Sequence, residues 1–571
     1  QASVVYDPVG NITSRTTTPK SGSGLGAVTE TANYPTSACG SGVFDILCNR
    51  PTWYRDGLGR QTDFQYNAAG QLTGQTDPAD ASGVRRRTII TYQTTGGLSR
   101  RAVVRVCGNT STCGTPEEIR TEYDYWGNTF LPSVVRRIDA ARGVTLETHY
   151  TYDDAGRVLV EDGPLPGDGD AKYFRYDVQG RRTWEIGAAD ANGVRLARYF
   201  DLRDSDDKVN YVDEGSVTSP TDPTLTLFRR IDYDYDGRRN RERETVSAGG
   251  TPYTVVQRTF DLQNRLACEA RRMNPAAFLA LPGSACTLGT AGTFGPDRIT
   301  RHVYDAAGQL LVVQRAYGTS LQQDYATYTY RLNGSRATVK DANGNLSTFE
   351  YDGFDRLAKL RFPVATLGAN QSSTTDYEQY GYDAVGNRTS LRKRDGRTIG
   401  YTYDALNRVR VKSVPTSASG APGYSVYHGY DVRGLLTHAR FSSDSGQGVT
   451  NSYDGFGRLL GSSSNMGGTA RTVTSAYDAH GNRTRLTHPD GAFFEYAYDA
   501  ADRLLHLSEN GPSTTLASLF YDAQWRRDEL DRDAAGAITR YGYDPISRLE
   551  LLTHDLDGAG TSHDAGFGFT F

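Results

Sequence analysis

Aromatic and polar residues alternate in short runs along much of this chain. In Tyr401-Thr402-Tyr403, Tyr496-Ala497-Tyr498 and Tyr541-Gly542-Tyr543 two rings stand two residues apart, which puts both on one face of a strand. Over residues 382–549 each such run ends in Tyr-Asp, at Tyr382, Tyr403, Tyr430, Tyr453, Tyr477, Tyr498, Tyr521 and Tyr543, at intervals of 21 to 27 residues. Two variable residues follow, then usually Gly, Asn or Asp, then Arg or Asn, then often an apolar residue. Tyr453-Asp454-Gly455-Phe456-Gly457-Arg458-Leu459 is the full form. An Asp opening a four-residue turn can accept hydrogen bonds from the backbone that follows it. The residue three places later suits a left-handed backbone, the geometry of a type I turn closed by a G1 bulge. Gly386, Gly434, Gly457 and Gly481 meet that need without a Cβ, and Asn407 and Asp502 are tolerated substitutes. Trp525 and Ser547 depart from the pattern, so those two turns are expected to be built differently. Strand, tight turn, strand, looser turn (such as His488-Pro489-Asp490-Gly491) makes a β-hairpin array, one repeated supersecondary unit.

The same unit is legible elsewhere. Residues 1–150 carry it with large insertions, at Tyr6, Tyr54, Tyr66 and Tyr123, and the Thr/Gly/Ser-rich piece 16–42 reads as a surface excursion. Residues 151–571 are the more regular array, through Tyr152, Tyr176, Phe200, Tyr235 and Phe260, then Tyr304, Tyr330 and Tyr351. Phe in place of Tyr suggests that the ring is the essential part. One helix is expected, about two turns over 274–282, with Asn274 as N-cap, Pro275 in the first turn and Pro282 as its end. The array reads as one continuous repeat architecture. It opens in mid-repeat at Tyr6-Asp7-Pro8-Val9-Gly10-Asn11, which reads as a fragment of a longer chain. About twenty hairpins imply more strands than an open sheet carries without curling. They also exceed the roughly eight that fill a barrel, so the sheet would enclose space.

Composition fits such a sheet. Only 37% of the 571 residues are hydrophobic, and 37 Tyr outnumber 20 Phe. Tyr suits partly wet faces because its ring buries area while its hydroxyl finds a partner. The formal net charge of −4, with both signs interspersed, gives no basic stripe for nucleic acid. No apolar run is long enough for a helical membrane span. Six cysteines fall into three local pairs: Cys39 and Cys48, Cys107 and Cys113, Cys268 and Cys286. Six permit fifteen connectivities; proximity within one insertion favours these local pairs. Disulfides of this kind point to an oxidising, extracellular compartment.

A search for chemistry returns little. The nine histidines form no H-E-x-x-H or paired metal spacing; His480 and His488 read as surface residues at or beside turns. Asp341-Ala342-Asn343-Gly344-Asn345 begins like a calcium loop but has Asp352 where the closing Glu belongs. The acidic 162–170 stretch reads as a solvated loop, and Gly22-Ser23-Gly24-Leu25-Gly26 opens no helix that would cradle a phosphate. No nucleophile–base pair assembles. The segment is therefore read as structural, not an enzyme, with no catalytic residue, metal or cofactor. A turn-flanking Arg such as Arg458 is expected to pair with a neighbouring strand's carboxylate.

Tyr304-Asp305-Ala306-Ala307-Gly308-Gln309-Leu310 and Tyr351-Asp352-Gly353-Phe354-Asp355-Arg356-Leu357 resemble the YD repeat of the RHS family. That family includes bacterial polymorphic toxins, the C component of insecticidal toxin complexes and the teneurins. The resemblance covers nearly the whole chain. It implies an all-β fold in which tandem hairpins form a long spiralling sheet that curls into a hollow cocoon or open shell. It also implies a secreted or surface-delivered container for a C-terminal effector outside this chain. The alternative is an extracellular scaffold or adhesin that binds glycans or surface proteins, as teneurin-like members do. The residues expected to carry the repeat are Tyr304, Asp305 and Gly308; Tyr382, Asp383 and Gly386; Tyr453, Asp454, Gly457 and Arg458; and Tyr477, Asp478 and Gly481. The self-cleavage motif that follows the repeats in toxin members is not seen here: Asp7-Pro8 and Asp544-Pro545 lie in ordinary repeat turns.

Overall fold

A computed structural model describes residues 1–35, 39, 46–108, 113, 117–203, 205–416, 420, 422–532, 536–556 and 565–569. The fold is all-β, with 43 strands among the described residues. Pairing is antiparallel between strands consecutive in sequence, as in Gly400↔Ser413 and Ile538↔Asp555. The register slips by one residue at the repeat tyrosine in hairpin after hairpin: Gly381 faces Ser390 but Tyr382 faces Arg388, and Ser452 faces Gly461 but Tyr453 faces Leu459. That slip is the bulge the turn chemistry calls for.

The chain forms two compact units interleaved in sequence. One comprises Gln1–Glu147, Arg331–Thr338 and Gly344–Thr474; the other comprises Thr148–Tyr330, Val339–Asn343 and Ser475–Phe571. Most strand residues are only half-buried. The second unit holds two small apolar clusters, one of Ala171, Tyr173, Ile186, Ala197 and Val217, the other of Cys268, Ala270, Ala285 and Ile299. A sheet this thin depends on cross-strand pairs and turn hydrogen bonds more than on a thick core.

Several expectations are corrected. The helix expected over 274–282 is a single 3₁₀ turn, Pro275–Ala277. Asn274 Oδ1 does cap it, accepting from the Ala276 N–H at 3.2 Å, but the bonds run i to i+3 (Phe278 N to Pro275 O, 3.2 Å) and no α-turn closes. The 16–42 piece is no simple excursion. It contains the strand Val28–Asn33, paired with Ile12–Thr17 on one side and Trp53–Arg55 on the other; residues 36–38 and 40–42 lie outside the described residues. Phe200 and Asp201 sit inside the strand Arg195–Leu202, and the turn follows at Arg203, with Asp207 in the left-handed region. The structure links Cys39 to Cys48, Cys107 to Cys113 and Cys268 to Cys286. No helix among the described residues is long and apolar enough to cross a membrane.

Candidate functional site

What recurs is a clamp centred on the turn aspartate. In the turn at Asp454, Oδ1 accepts from the Phe456 N–H (3.0 Å) and the Arg458 N–H (2.8 Å), while Arg458 Nε donates to Oδ2 at 2.6 Å. The backbone closes with Gly457 N to Asp454 O at 3.1 Å and Asp454 N to Arg458 O at 3.0 Å. Asp383 repeats the pattern with Val385, Asn387 and the Asn387 amide. Asp305 takes the Gln309 N–H at 2.8 Å, and Asp478 takes the N–H groups of Gly481 and Asn482. The fourth position is left-handed in all of them: Gly308 at +83°, Gly386 at +94°, Gly457 at +85° and Gly481 at +100°. Trp525 (+61°) and Ser547 (+73°) adopt the same geometry, so those two turns are ordinary after all. The aspartate clamp, more than the glycine, holds the turn. Burial alone would raise the Asp261 carboxyl, but two backbone N–H donors and the Arg265 guanidinium hold it below its usual range.

The flanking Arg is also reassigned. Arg458 pairs with the carboxylate of its own turn, Asp454. Elsewhere the same Arg reaches onward to the next turn. Arg356 Nη1 donates to Asp383 O at 2.8 Å and its guanidinium lies 4.7 Å from the Tyr382 ring centroid. Arg265 does the same to Asp305 (3.1 Å) and Tyr304 (4.6 Å). The tyrosine hydroxyl has a recurrent partner too, the first carbonyl after the preceding turn: Tyr382 to Leu357, Tyr453 to Leu436 and Tyr304 to Leu266, at 2.8, 2.8 and 3.0 Å. Burial pushes the Tyr304 and Tyr382 phenols up, which keeps them donors. Ring and hydroxyl both matter, against the expectation drawn from Phe. Phe260 keeps only the first.

Sequence reasoning missed a second layer of contacts. From Asp352 onward the turns touch loops and strand ends 310 to 347 residues earlier in the chain. In the first unit, the Lys20 N–H donates to Gly353 O at 2.9 Å and the Lys20 ammonium pairs with Asp355. Arg60 donates to Asp404 O (3.0 Å) and Asn407 Oδ1 (2.7 Å), and the Gly455 N–H donates to the buried Asp139 at 2.7 Å. In the second unit, His480 sits between Asp170 (2.6 Å) and Asp502 (2.7 Å), Arg503 lies 3.8 Å from Asp190, and Arg229 donates to Ile546 O at 2.9 Å. These contacts form a seam within each unit.

His480 is thus no surface residue: its side chain is 15% exposed. The 162–170 stretch is only partly solvated, since Asp170 is buried and also accepts from the Leu165 N–H. His488, beside its turn, packs its ring against Phe494. Asp341 Oδ1 accepts from the Asn343 N–H at 2.9 Å, and Gly344 packs against Gly368, so that motif is a turn. A signal for the seam was in the sequence. The third turn position is apolar at Phe354, Val385, Leu406, Phe456 and Ile546 in later repeats, though Arg433, His480 and Gln524 also stand there. It is polar at Gln179, Arg238, Gln263 and Asn333 in earlier ones, though Leu58 and Ala155 are not.

With the geometry established, comparison with known proteins places it. The RHS Repeat model matches residues 50–82, 382–417, 453–493 and 477–515. The chain is 25% identical over 561 residues to Double-stranded DNA deaminase toxin A of Burkholderia cenocepacia, covering 89% of this chain and 33% of that protein. It is also 25% identical over 261 residues to the tRNA3(Ser)-specific nuclease WapA of Bacillus spizizenii, covering 39% of this chain and 11% of that one. It therefore spans about a third and about a tenth of these relatives' lengths. Among solved structures, the Photorhabdus luminescens Tc holotoxin pore aligns with a TM-score of 0.43 at 14% identity, over 93% of this chain and 29% of that one. A TcdB2–TccC3 crystal structure aligns with a TM-score of 0.42 at 12% identity, over 96% and 32%. The stretches that match the RHS Repeat model carry the clamped turn described above, and the hairpins between them repeat it.

Proposed function

We propose that the chain is a wall segment of a secreted or surface-delivered RHS shell that encloses a C-terminal effector and helps deliver it, and that this segment is structural, not catalytic. The observation that carries this reading is the seam. Hairpins alone would give an open ribbon, whereas turns docked onto loops more than 300 residues earlier join one run of hairpins side by side to another. A container wall needs that continuity. The names of the two relatives, a deaminase toxin and a nuclease of which this chain spans only a part, agree with an effector lying elsewhere in the polypeptide. The disulfides accord with an extracellular destination.

The test uses the full-length protein. Limited proteolysis should leave the region after the repeats protected in the wild type. Gly455→Val, which opens the seam at Asp139, should expose it to cleavage while circular dichroism still reports strand. Equal and rapid cleavage of that region in both proteins would contradict enclosure.

A further inference from the structure

A cavity of about 430 Å³ lies in the second unit where the seam passes the turn residues Gln524 and Ser547. It exists because Gly187, in the strand Arg182–Ala189 beside the strand Arg195–Leu202, stands where a side chain would fill the sheet face. Phe174, Leu196 and Phe228 supply an apolar lining, and the volume falls in the range of small-molecule sites, about 300–1,000 Å³.

The charges around it are unbalanced in one direction. Both Glu214 oxygens are occupied, one by Arg198 Nε at 3.0 Å and the other by Arg229 Nε at 2.5 Å. Glu185 accepts from Arg182 at 2.7 Å. Lys172 Nζ and the terminal guanidinium nitrogens of Arg198 have no partner among the described residues. Uncommitted cationic donors beside an apolar floor suit a ligand with a negative head and an apolar body.

We propose that this cavity binds a free apolar carboxylate of about the size of a medium-chain fatty acid, its chain along Phe174, Leu196 and Phe228 and its carboxylate at Lys172 and Arg198. Gly187→Leu tests it cleanly. The backbone there is not left-handed, and an added Cβ would meet nothing closer than Leu196 O at 3.4 Å, so the substitution fills the cavity without breaking the strand. Titration of the chain with dodecanoate, followed calorimetrically, should show saturable binding with one site. Gly187→Leu should weaken it at least tenfold and Lys172→Glu at least fivefold, with melting temperatures near wild type. Dodecanol should bind at least fivefold more weakly than dodecanoate. Absence of saturable binding, binding indifferent to Gly187→Leu, or equal affinity for dodecanol would each overturn the assignment.

Discussion

The turns at Asp261 and Asp454 share one clamp and differ in everything outside it. Both aspartates take the N–H groups two and four residues on and an Arg side chain. At Asp261 the central residues Leu262 and Gln263 stand in solvent, Leu262 at 84% exposure; at Asp454 Gly455 is buried and Phe456 half-buried. The contrast is general. Central pairs are exposed at Asp153, Asp177, Asp236, Asp305 and Arg331, whereas from Asp352 to Asp544 the third position is half-buried or buried. Small residues occupy the second position of most of these turns (Gly353, Ala384, Ala405, Gly455, Ala479, Ala500; Val432 and Pro545 are the exceptions), where the free turns also tolerate Val178, Leu262 and Leu332. One backbone device therefore serves two purposes, and two side chains decide which.

The largest effect should come from closing the space that docking needs. A Cβ on Gly455 would lie 2.5 Å from the Asp139 carboxyl carbon, whereas one on Gly237, at the same place in a free turn, meets nothing within 4 Å. Gly455→Val should cost about 2–3 kcal/mol and Gly237→Val under about 0.5 kcal/mol, read from chemical denaturation. Equal losses would erase the distinction.

Removing the clamp should hurt both kinds of turn, the docked one more. Asp454 is 2% exposed and its loss removes the acceptor of two backbone N–H groups and of Arg458 Nε. Asp454→Ala is expected to cost about 2–3 kcal/mol and Asp261→Ala about 1 kcal/mol, the order being the informative result.

His480 gives the seam of the second unit a pH dependence that the fixed charges at Arg60 and Lys20 do not. Burial alone would lower its value, but hydrogen bonds and charge from Asp170 and Asp502 outweigh it and leave the imidazole above its ordinary 6.5. A raised histidine stabilises fully below that ordinary value, and the contribution is lost as pH rises through the folded value. The melting-temperature gap between wild type and His480→Gln should therefore shrink from about pH 6 to about pH 9. Asp162, near Asp170, is itself raised, by burial and then by the Asp170 charge. A gap that stays constant would show that His480 contributes by shape alone.

The smallest effect is expected at the free tips. Leu332→Gln, in a turn exposed on both central residues, should change stability by no more than about 0.5 kcal/mol. A larger loss would mean that the tip is covered by something in solution.

Hairpins, turn type and the left-handed fourth position were legible in sequence because they are local. Tyr, Asp and Gly at fixed spacing impose a period-two strand and a bulged turn whatever surrounds them. Trp525 and Ser547 misled because the aspartate clamp tolerates residues that a glycine rule excludes. The Arg partner was misassigned because an exposed Arg was weighed against strand neighbours and not against its own turn. The seam was not read because it joins residues over 300 apart, where no short-range pattern sets the pairing. His480 looked like any turn residue until Asp170 was placed against it.

The central claim is that later turns are seated on earlier loops, and Lys20 with Asp355 offers the most direct measurement. Their charged groups are in contact across 335 residues, with side chains 48% and 38% exposed, so a carbodiimide can join them with no spacer. Lys359 and Glu350, opposed on paired strands at 3.8 Å, provide the internal reference. Mass spectrometry of the digested monomer should recover both links, Lys20 to Asp355 as well as Lys359 to Glu350. Recovery of the hairpin link with no link from Lys20 to the 352–356 turn would contradict the docked seam.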